Sequence, residues 1–250
     1  MPPSPFLNFR NLKTYLRESR KSVRAFPGQC TYPGLARHYS EWQRTMAADF
    51  TPLGGGIPWI SIPAIDFLRA ALRPEMRVHE YGSGGSTRFF SKRVQQVVSV
   101  EHDPVWVKKV TSAIASEGLS NCDLLLITPV QLEPGSANDP ANPDHYATDD
   151  ETFRQFSFER YVRNIDRFPD EWFDVILIDG RSRPSCFKHA LKKIRPGGAI
   201  VWDNSERPYY HASMALAPAH WTVQHFPGPC PCLRAFTRTS VWRRPTDTSR

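Results

Sequence analysis

Short apolar segments alternate with segments of helical periodicity along most of the chain. The apolar segments are bounded by Gly, Pro and polar residues, which is typical of buried strands. Between two of them, residues 104–117 place Trp106, Val110 and Ile114 near the helical period. Strands that alternate with helices at this spacing predict an α/β fold, with a mostly parallel sheet and helices on both of its faces. The predicted strands are residues 77–81, 96–100, 122–127, 173–178 and 199–202.

Two further strand candidates lie near the end of the chain, at residues 221–226 and 235–242. Pro227-Gly228-Pro229 follows the first of them, and proline and glycine favour turns. The segment therefore predicts an antiparallel hairpin as the last element of the sheet.

The beginning of the chain lacks a strand pattern. It predicts a helical extension or cap over residues 1–57, ahead of a main domain over residues 58–250. Helices are expected at residues 11–24 and 35–50, and Gly54-Gly55-Gly56 predicts a hinge. Two roles stay open for the extension: a fixed cap over one end of the sheet, or a lid that moves over a substrate.

A long acidic loop is predicted between the third and fourth strands. Residues 134–151 hold five acidic residues, three prolines and one glycine. A loop of this length inside a compact domain is usually either functional or disordered. Because ligands bind at the carboxyl ends of the strands in α/β sheets, we expect this loop on the substrate side of the molecule.

Composition and charge fit a folded domain and leave the partner open. Hydrophobic residues make up 40% of the chain, and the formal net charge is +7. This charge permits an acidic partner such as nucleic acid without requiring one. Five cysteines at irregular spacing fit neither a disulfide framework nor a zinc site, so we expect reduced thiols and a cytoplasmic protein. No apolar run approaches the roughly eighteen residues of a membrane span, so no transmembrane segment is predicted.

The stretch from Glu80 to Thr87 leaves the first predicted strand, crosses three glycines and enters a helix. Such a turn is a cradle for a nucleotide-like ligand, because its backbone can approach the ligand closely and the N–H groups of the helix start lack helical partners. Gly82 and Gly84 match only the first part of the dinucleotide fingerprint G-x-G-x-x-G, and Thr87 stands in place of its third glycine. The second strand ends in Glu101, whose carboxylate can accept both hydroxyls of a ribose.

The combination E-x-G-x-G-G-S-T over residues 80–87, followed by V-x-S-V-E-H-D-P over residues 97–104, resembles motif I and the next acidic strand end of class I S-adenosylmethionine-dependent methyltransferases. The resemblance covers roughly residues 58–244. It implies a Rossmann-like three-layer sandwich, with a mostly parallel seven-stranded sheet and a C-terminal antiparallel hairpin, and S-adenosylmethionine as the cofactor. The residues implied for cofactor binding are Glu80, Gly82, Ser83, Gly84, Gly85, Ser86 and Thr87 at the methionine end, Glu101 at the ribose, His102 and Thr128 near the adenine, and Asp179.

Polar residues also follow the fourth and fifth predicted strands, at Asp179, Asp203 and Asn204. The carboxyl ends of adjacent parallel strands meet at one edge of a sheet, and hard oxygen ligands suit Mg²⁺. These positions resemble the metal triad of cation-dependent O-methyltransferases, both the catechol O-methyltransferase-like enzymes and the metal-dependent sugar O-methyltransferases. Metal-free interpretations also stay open, since Asp179 could meet the amino group of the cofactor and Asp203 and Asn204 could cap a helix or a turn.

The sequence departs from the cation-dependent enzymes at the catalytic base. They carry a lysine three residues after the first aspartate, and here that position is Ser182. A metal could instead acidify the acceptor hydroxyl, or His211 or His189 could act as the base. The catalytic candidates are Asp179, Arg181 and His211.

Three arginines surround the expected pocket, at Arg181, Arg183 and Arg207. They could bind a carboxylate, a phosphate or a sugar acid through paired hydrogen bonds. Alternatively, they could pair with the acidic loop.

The function that these patterns favour is S-adenosylmethionine-dependent methyl transfer to a hydroxyl of a small molecule or a glycan, and a bound Mg²⁺ stays open as a second cofactor. A nucleic-acid methyltransferase is the first alternative, suggested by the net charge, although no Asn/Asp-Pro-Pro-Tyr-like motif is present. A non-catalytic Rossmann-like binding protein is a second alternative. A nicotinamide-dependent oxidoreductase is disfavoured by the missing third glycine.

Overall fold

The computed structural model describes residues 9–246. Within this range, seven strands form one sheet and two short strands form a separate antiparallel pair. The strands of the main sheet are β1 (Arg77–Tyr81), β2 (Gln96–Glu101), β3 (Cys122–Leu126), β6 (Phe173–Ile178), β7 (Ile194–Trp202), β8 (Thr222–Pro229) and β9 (Phe236–Arg243), and the short pair is β4 (Val130–Gln131) and β5 (Phe156–Ser157).

The main sheet has the strand order β3-β2-β1-β6-β7-β9-β8. The first five strands of this order are parallel, and Val78 of β1 pairs with Val97 on one side and Val175 on the other. The last two strands are antiparallel to their neighbours, with Trp202 of β7 opposite Ser240 of β9. The prediction of a mostly parallel seven-stranded sheet with a C-terminal antiparallel hairpin is therefore confirmed.

Helices cover both faces of this sheet. The first half of the chain contributes α1 (Phe9–Ala25), α2 (Tyr32–Ala36), α3 (Tyr39–Thr45), α4 (Pro52–Gly55), α5 (Ile62–Ala71), α6 (Gly85–Ser91) and α7 (Pro104–Ala115). The second half contributes α8 (Glu159–Arg163), α9 (Arg183–Lys193) and α10 (His211–Met214), together with three short 3₁₀ segments at Glu151–Phe153, Asn164–Arg167 and Pro208–Tyr210.

The side chains of the buried strands point alternately to the two faces of the sheet and form a hydrophobic core on each face. Leu177 of β6 points to the face covered by Phe89 and Phe90 of α6, whereas Ile176 points to the face covered by Phe187 of α9. Successive strand side chains point to opposite faces, so a strand buried on both faces is apolar at nearly every position. All six residues of β6 are buried and five of them are apolar; the sixth, Asp174, pairs with Arg195 at 2.6 Å.

The hairpin and the N-terminal segment differ from the sequence-based prediction. Pro227-Gly228-Pro229 continues β8 and does not form the turn, which lies at residues 230–235. β8 is the outermost strand of the sheet, where a missing N–H donor is tolerated. The predicted helix at 35–50 is divided between α2 and α3. The segment Gly54-Gly55-Gly56 is not an open linker, because its first two residues lie in α4 and Gly56 caps that helix with φ of 60°.

The N-terminal helices pack directly on the C-terminal hairpin. The ring of Tyr15 lies 5.1 Å from that of Trp42 and 4.9 Å from that of Phe236. The indole of Trp42 donates a hydrogen bond to the backbone oxygen of Leu233, at 2.8 Å. The predicted division into residues 1–57 and 58–250 stays a prediction, and it includes residues 1–8 and 247–250, which lie outside the described part of the chain. None of the helices in residues 9–246 has the length and apolar character needed to cross a membrane.

Candidate functional site

A cavity of about 890 Å³ opens at the carboxyl ends of β1, β2, β6 and β7. The N-terminal segment, the acidic loop and the hairpin turn also contribute to its wall. Among the residues that line it are Thr51, Pro52, Leu53, Trp59, Gly82, Ser83, Gly84, Gly85, Ser86, Glu101, His102, Asp103, Trp106, Asp150, Phe153, Asp179, Arg181, Arg183, Asp203, Asn204, Cys230 and Leu233.

The glycines after β1 allow close packing of backbone on backbone. Gly82 has φ of +92°, and a Cβ added to it would lie 2.9 Å from the Cα of Gly180, which follows β6. A Cβ on Gly85 would lie 2.2 Å from the backbone oxygens of both Pro52 and Ile57. The glycine loop is therefore held between the loop after β6 and the N-terminal segment, and larger residues would separate these parts.

Glu80 and Thr87 hold the glycine loop from beneath and do not line the cavity. The Thr87 hydroxyl donates to the Glu80 carboxyl and accepts a hydrogen bond from the N–H of Gly84, at 2.9 Å. Both side chains are fully buried, and burial raises the pKa of Glu80 to about 7. This arrangement therefore does not bring Glu80 or Thr87 into the predicted direct contact with a ligand.

Glu101 places a carboxylate at the end of β2, in the wall of the cavity. One of its oxygens accepts hydrogen bonds from the N–H and the hydroxyl of Ser83, at 3.0 and 3.1 Å. The other accepts from the N–H of Asp103 and lies 2.7 Å from Nδ1 of His102. Burial would raise the pKa of Glu101, but the hydrogen bond and charge of His102 outweigh it and lower the pKa below its usual range. Glu101 is therefore an ionised acceptor.

Aromatic groups lie beside Glu101. The ring of His102 is 5.1 Å from that of Phe153, and the indole of Trp106 donates to the backbone oxygen of Ser83 at 2.8 Å. Phe153 lies just after the acidic loop, in the short 3₁₀ segment Glu151–Phe153, so sequence periodicity gave no signal for it. Thr128, predicted near an adenine, is exposed and does not line the cavity.

The acidic loop is joined to the pocket by two ion pairs. Asp150 lies 2.8 Å from Nη1 of Arg181, and Asp149 lies 3.0 Å from Nη1 of Arg207. Of the three arginines for which two roles were left open, Arg181 and Arg207 pair with the loop, whereas Arg183 pairs with Asp179 and Asp203. The loop therefore closes one side of the cavity.

Asp179, Asp203 and Asn204 come together at the ends of β6 and β7, as predicted, and Arg183 lies between them. The Nη2 atom of Arg183 donates to Asp179 Oδ1 at 3.0 Å. Its Nη1 atom donates to Asn204 Oδ1 at 3.2 Å and lies 3.7 Å from Asp203 Oδ2. A guanidinium thus stands where the predicted Mg²⁺ would have to bind, and the arrangement does not fit the ion. Among residues 9–246, no group of three or more His, Cys, Asp or Glu side chains is suited to hold a metal.

The carboxyl groups of Asp179 and Asp203 both have pKa values above the usual range. Burial raises the pKa of Asp203 to about 6, and Arg183 acts against this shift. Burial and the neighbouring charge of Asp203 raise the pKa of Asp179, again opposed by Arg183. The Asp179 side chain is 19% exposed and that of Asp203 only 3%, so Asp179 is the more accessible to a ligand.

The predicted histidine bases lie away from these aspartates. His211 is exposed at the first residue of α10 and does not line the cavity. His189 lies 2.9 Å from Asp166, also outside the cavity. Neither histidine is therefore placed to accept a proton from a ligand in this cavity.

Several residues of the cavity carried no sequence signal. Trp59 donates from its indole to the backbone oxygen of Pro231, at 2.7 Å, and so joins the N-terminal segment to the hairpin turn. Cys230 and Leu233 of that turn face the same space. These residues meet only through long-range packing, which short-range patterns do not predict.

Comparisons with known proteins agree on the fold. The sequence matches no family model, and no curated protein is similar to it. Among solved structures, the protein named "putative O-methyltransferase" from Klebsiella pneumoniae has a TM-score of 0.53 at 15% identity, covering 95% of this chain and 100% of its own. An rRNA methylase from Streptococcus thermophilus has a TM-score of 0.51 at 13% identity, covering 76% of this chain and 100% of its own. The chain therefore has the Rossmann-like fold of class I S-adenosylmethionine-dependent methyltransferases.

Proposed function

We propose that the protein transfers a methyl group from S-adenosylmethionine to a hydroxyl of a small molecule or a sugar. The observation that carries this proposal is one continuous cavity with two chemically different ends. One end has the glycine loop, ionised Glu101 and aromatic Phe153. The other end has Asp179 and Asp203, whose raised pKa values suit proton transfer.

The first end of the cavity fits the cofactor. Glu101 would accept the ribose hydroxyls, and the rings of His102, Trp106 and Phe153 would contact the adenine. The glycine loop would hold the methionine part through its backbone N–H groups. When bound, S-adenosylmethionine supplies a methyl group that is already electrophilic because it is attached to a sulfonium. The protein has mainly to hold the acceptor in line with that methyl group.

The second end would bind the acceptor and take its proton. Asp179 is the better placed of the two aspartates, because more of its side chain faces the cavity. A carboxylate whose pKa is raised is a stronger base than an ordinary one and can accept a hydroxyl proton. Arg181 is paired with Asp150, so we assign it to closing the cavity and not to proton transfer.

Methyl transfer from labelled S-adenosylmethionine to a panel of phenols and sugars tests this proposal. With an accepted substrate, Asp179→Asn should lower kcat by about 10²-fold or more, the usual effect of losing a general base. Asp174→Asn, at the opposite end of β6, is the control and should retain kcat. Full activity of the Asp179→Asn variant would show that another group takes the proton.

A nucleic-acid acceptor is the second candidate, favoured by one face of α1. Two of the basic side chains on this face contact Glu18, and the others extend towards solvent. A protein with this fold, from Streptococcus thermophilus, is named as an rRNA methylase. RNA binding that weakens steeply with salt, and is lost when the basic side chains are replaced, would favour this candidate over a small acceptor. The basic residues exposed on α1 are Arg10, Lys13, Arg17, Arg20, Lys21 and Arg24.

A further inference from the structure

Arg183 is almost completely enclosed by oxygen acceptors. Besides the side chains of Asp179 and Asn204, its guanidinium donates to the backbone oxygens of Gly180 (3.0 Å), Asp179 (3.1 Å) and Asp203 (2.5 Å). The residue is only 9% exposed. A guanidinium has five N–H donors, and here all three of its nitrogens have partners.

We propose that Arg183 is the built-in cation of this centre, and that it excludes a divalent ion from Asp179, Asp203 and Asn204. The inference concerns the positive charge that lies between the carboxyl ends of β6 and β7. It does not require the proposed methyl transfer, because it can be tested on the protein without cofactor or acceptor.

Three of the five side-chain oxygens that an ion could use already accept hydrogen bonds, at Asp179 Oδ1, Asp203 Oδ1 and Asn204 Oδ1. Asn204 Oδ1 accepts from Arg183 and also from Arg207, each at 3.2 Å. Asp203 Oδ1 accepts from the hydroxyl of Thr239 at 2.6 Å. Mg²⁺ binds oxygens at about 2.0–2.1 Å in a near-octahedral arrangement, so it would have to displace the guanidinium. An ion placed beside the guanidinium would face a like charge in a buried site.

The local backbone keeps Arg183 in this position. Ser182 precedes it with φ of 50°, in the left-handed region, and Arg183 is the first residue of α9. The bond from its Nε to the Gly180 oxygen closes the turn between β6 and α9. The arginine therefore bridges the ends of two neighbouring strands, which a metal ion does where three oxygen ligands converge.

Removal of the guanidinium should create the missing metal site. In Arg183→Met the side chain keeps most of its length but loses its charge and its hydrogen-bond donors, which leaves two carboxylates and one amide oxygen without the guanidinium between them. Three protein oxygens with water are sufficient for Mn²⁺. We expect Arg183→Met to bind a single Mn²⁺ per chain at least about tenfold more tightly than the wild-type protein, because the competing buried charge is gone.

The experiment is Mn²⁺ titration followed by electron paramagnetic resonance and calorimetry, on the wild-type protein, Arg183→Met and Arg183→Lys. Arg183→Lys keeps a cation and should bind Mn²⁺ as weakly as the wild-type protein. Arg195→Met is the matched control, because Arg195 pairs with Asp174 at the far end of the sheet, at 2.6 Å. The control should gain no Mn²⁺ site, and Asp203→Asn should abolish the site that Arg183→Met gains.

Saturable Mn²⁺ binding by the wild-type protein that Asp203→Asn removes would overturn the proposal. A folded Arg183→Met variant that binds Mn²⁺ no better than the wild-type protein would overturn it as well. If Arg183→Met does not fold, Arg183→Gln replaces it, since glutamine can still donate a hydrogen bond to Asp179 and carries no charge. Binding of S-adenosylhomocysteine by the same samples reports separately on the proposed function.

Discussion

Glu80 is a carboxyl group with no solvent exposure, and burial raises its pKa from an ordinary value near 4.5 to about 7. Between these two pH values the folded protein keeps a proton that the unfolded chain has released. The contribution of Glu80 to stability is therefore lost as the pH rises from about 4.5 to about 7, and it amounts to roughly 3 kcal/mol.

Glu80→Gln should remove this pH dependence. Glutamine cannot ionise and can still accept the hydrogen bond from Thr87. At pH 8 we expect the free energy of unfolding of the variant to exceed that of the wild-type protein by about 2–3 kcal/mol, and at pH 4 the two should agree. Urea unfolding across this pH range measures the difference, with exposed Glu75→Gln as the control. A constant difference at all pH values would contradict a buried, protonated Glu80.

Single residues show where sequence-based prediction succeeds and where it stops. Asp179, Asp203 and Asn204 were predicted together, because the carboxyl ends of parallel strands meet whatever the side chains are. The position of Arg183 among them depends on one helix start and one rotamer. The pattern of acidic residues therefore suggested a metal site, and only the folded structure showed that Arg183 occupies the position between them.

Among the elements, α4 packs closely on the first residue of α6 beside the cavity. A Cβ at position 85 would overlap the backbone oxygens of Pro52 and Ile57, and backbone cannot move aside as a flexible side chain can. Gly85→Ala should therefore force the N-terminal segment away from the glycine loop.

We expect Gly85→Ala to lower the free energy of unfolding by about 1–3 kcal/mol, the usual cost of overpacking, and to weaken cofactor binding. Gly54→Ala in α4 is the matched control, since its Cβ would meet only the hydroxyl of Thr51, at 3.0 Å. Chemical unfolding and ligand titration measure both effects. Equal stability of the two variants would mean that the N-terminal segment is not tightly packed on the loop.

The acidic loop should depend on its two ion pairs. Both are partly exposed, so each contributes only about 0.2–1 kcal/mol and is weakened by salt. Asp149→Asn combined with Asp150→Asn should therefore speed amide hydrogen exchange around Phe153 by several-fold at low salt and leave the sheet unchanged. Glu151→Gln is the control, because Glu151 pairs with the nearby Arg154 and not with an arginine of the cavity wall. Unchanged exchange in the double variant would assign closure of the loop to packing instead.

Elements were predicted best where packing imposes a period. Four of the five parallel strands were predicted within one residue of their observed bounds, because each is an apolar run bounded by polar or turn residues. The fifth, β7, begins at Ile194, five residues before its predicted start, because it continues through Pro196 and two glycines. The segment Pro227-Gly228-Pro229 was assigned to a turn from its composition, but an edge strand accommodates it. The short helices α2 and α3 also differ from prediction, because the contacts that define them are long-range, such as that of Trp42 with Leu233.

For the whole molecule, alternation of strands and helices was sufficient to predict the fold, since few topologies satisfy it. The identity of the ligand is harder to predict than the fold, because proteins with one fold catalyse many different reactions. The central claim is that the cavity binds S-adenosylmethionine with Glu101 at the ribose. That claim depends on the full arrangement of loop, carboxylate and aromatic wall.

Calorimetric titration of S-adenosylhomocysteine into the wild-type protein and Glu101→Gln tests this claim most directly. We predict one binding site with a dissociation constant on the order of micromolar in the wild-type protein. The variant should bind about 10- to 100-fold more weakly, because hydrogen bonds to a charged acceptor are lost, and exposed Glu75→Gln should bind normally. No binding by the wild-type protein, or equal affinity of Glu101→Gln, would contradict the account.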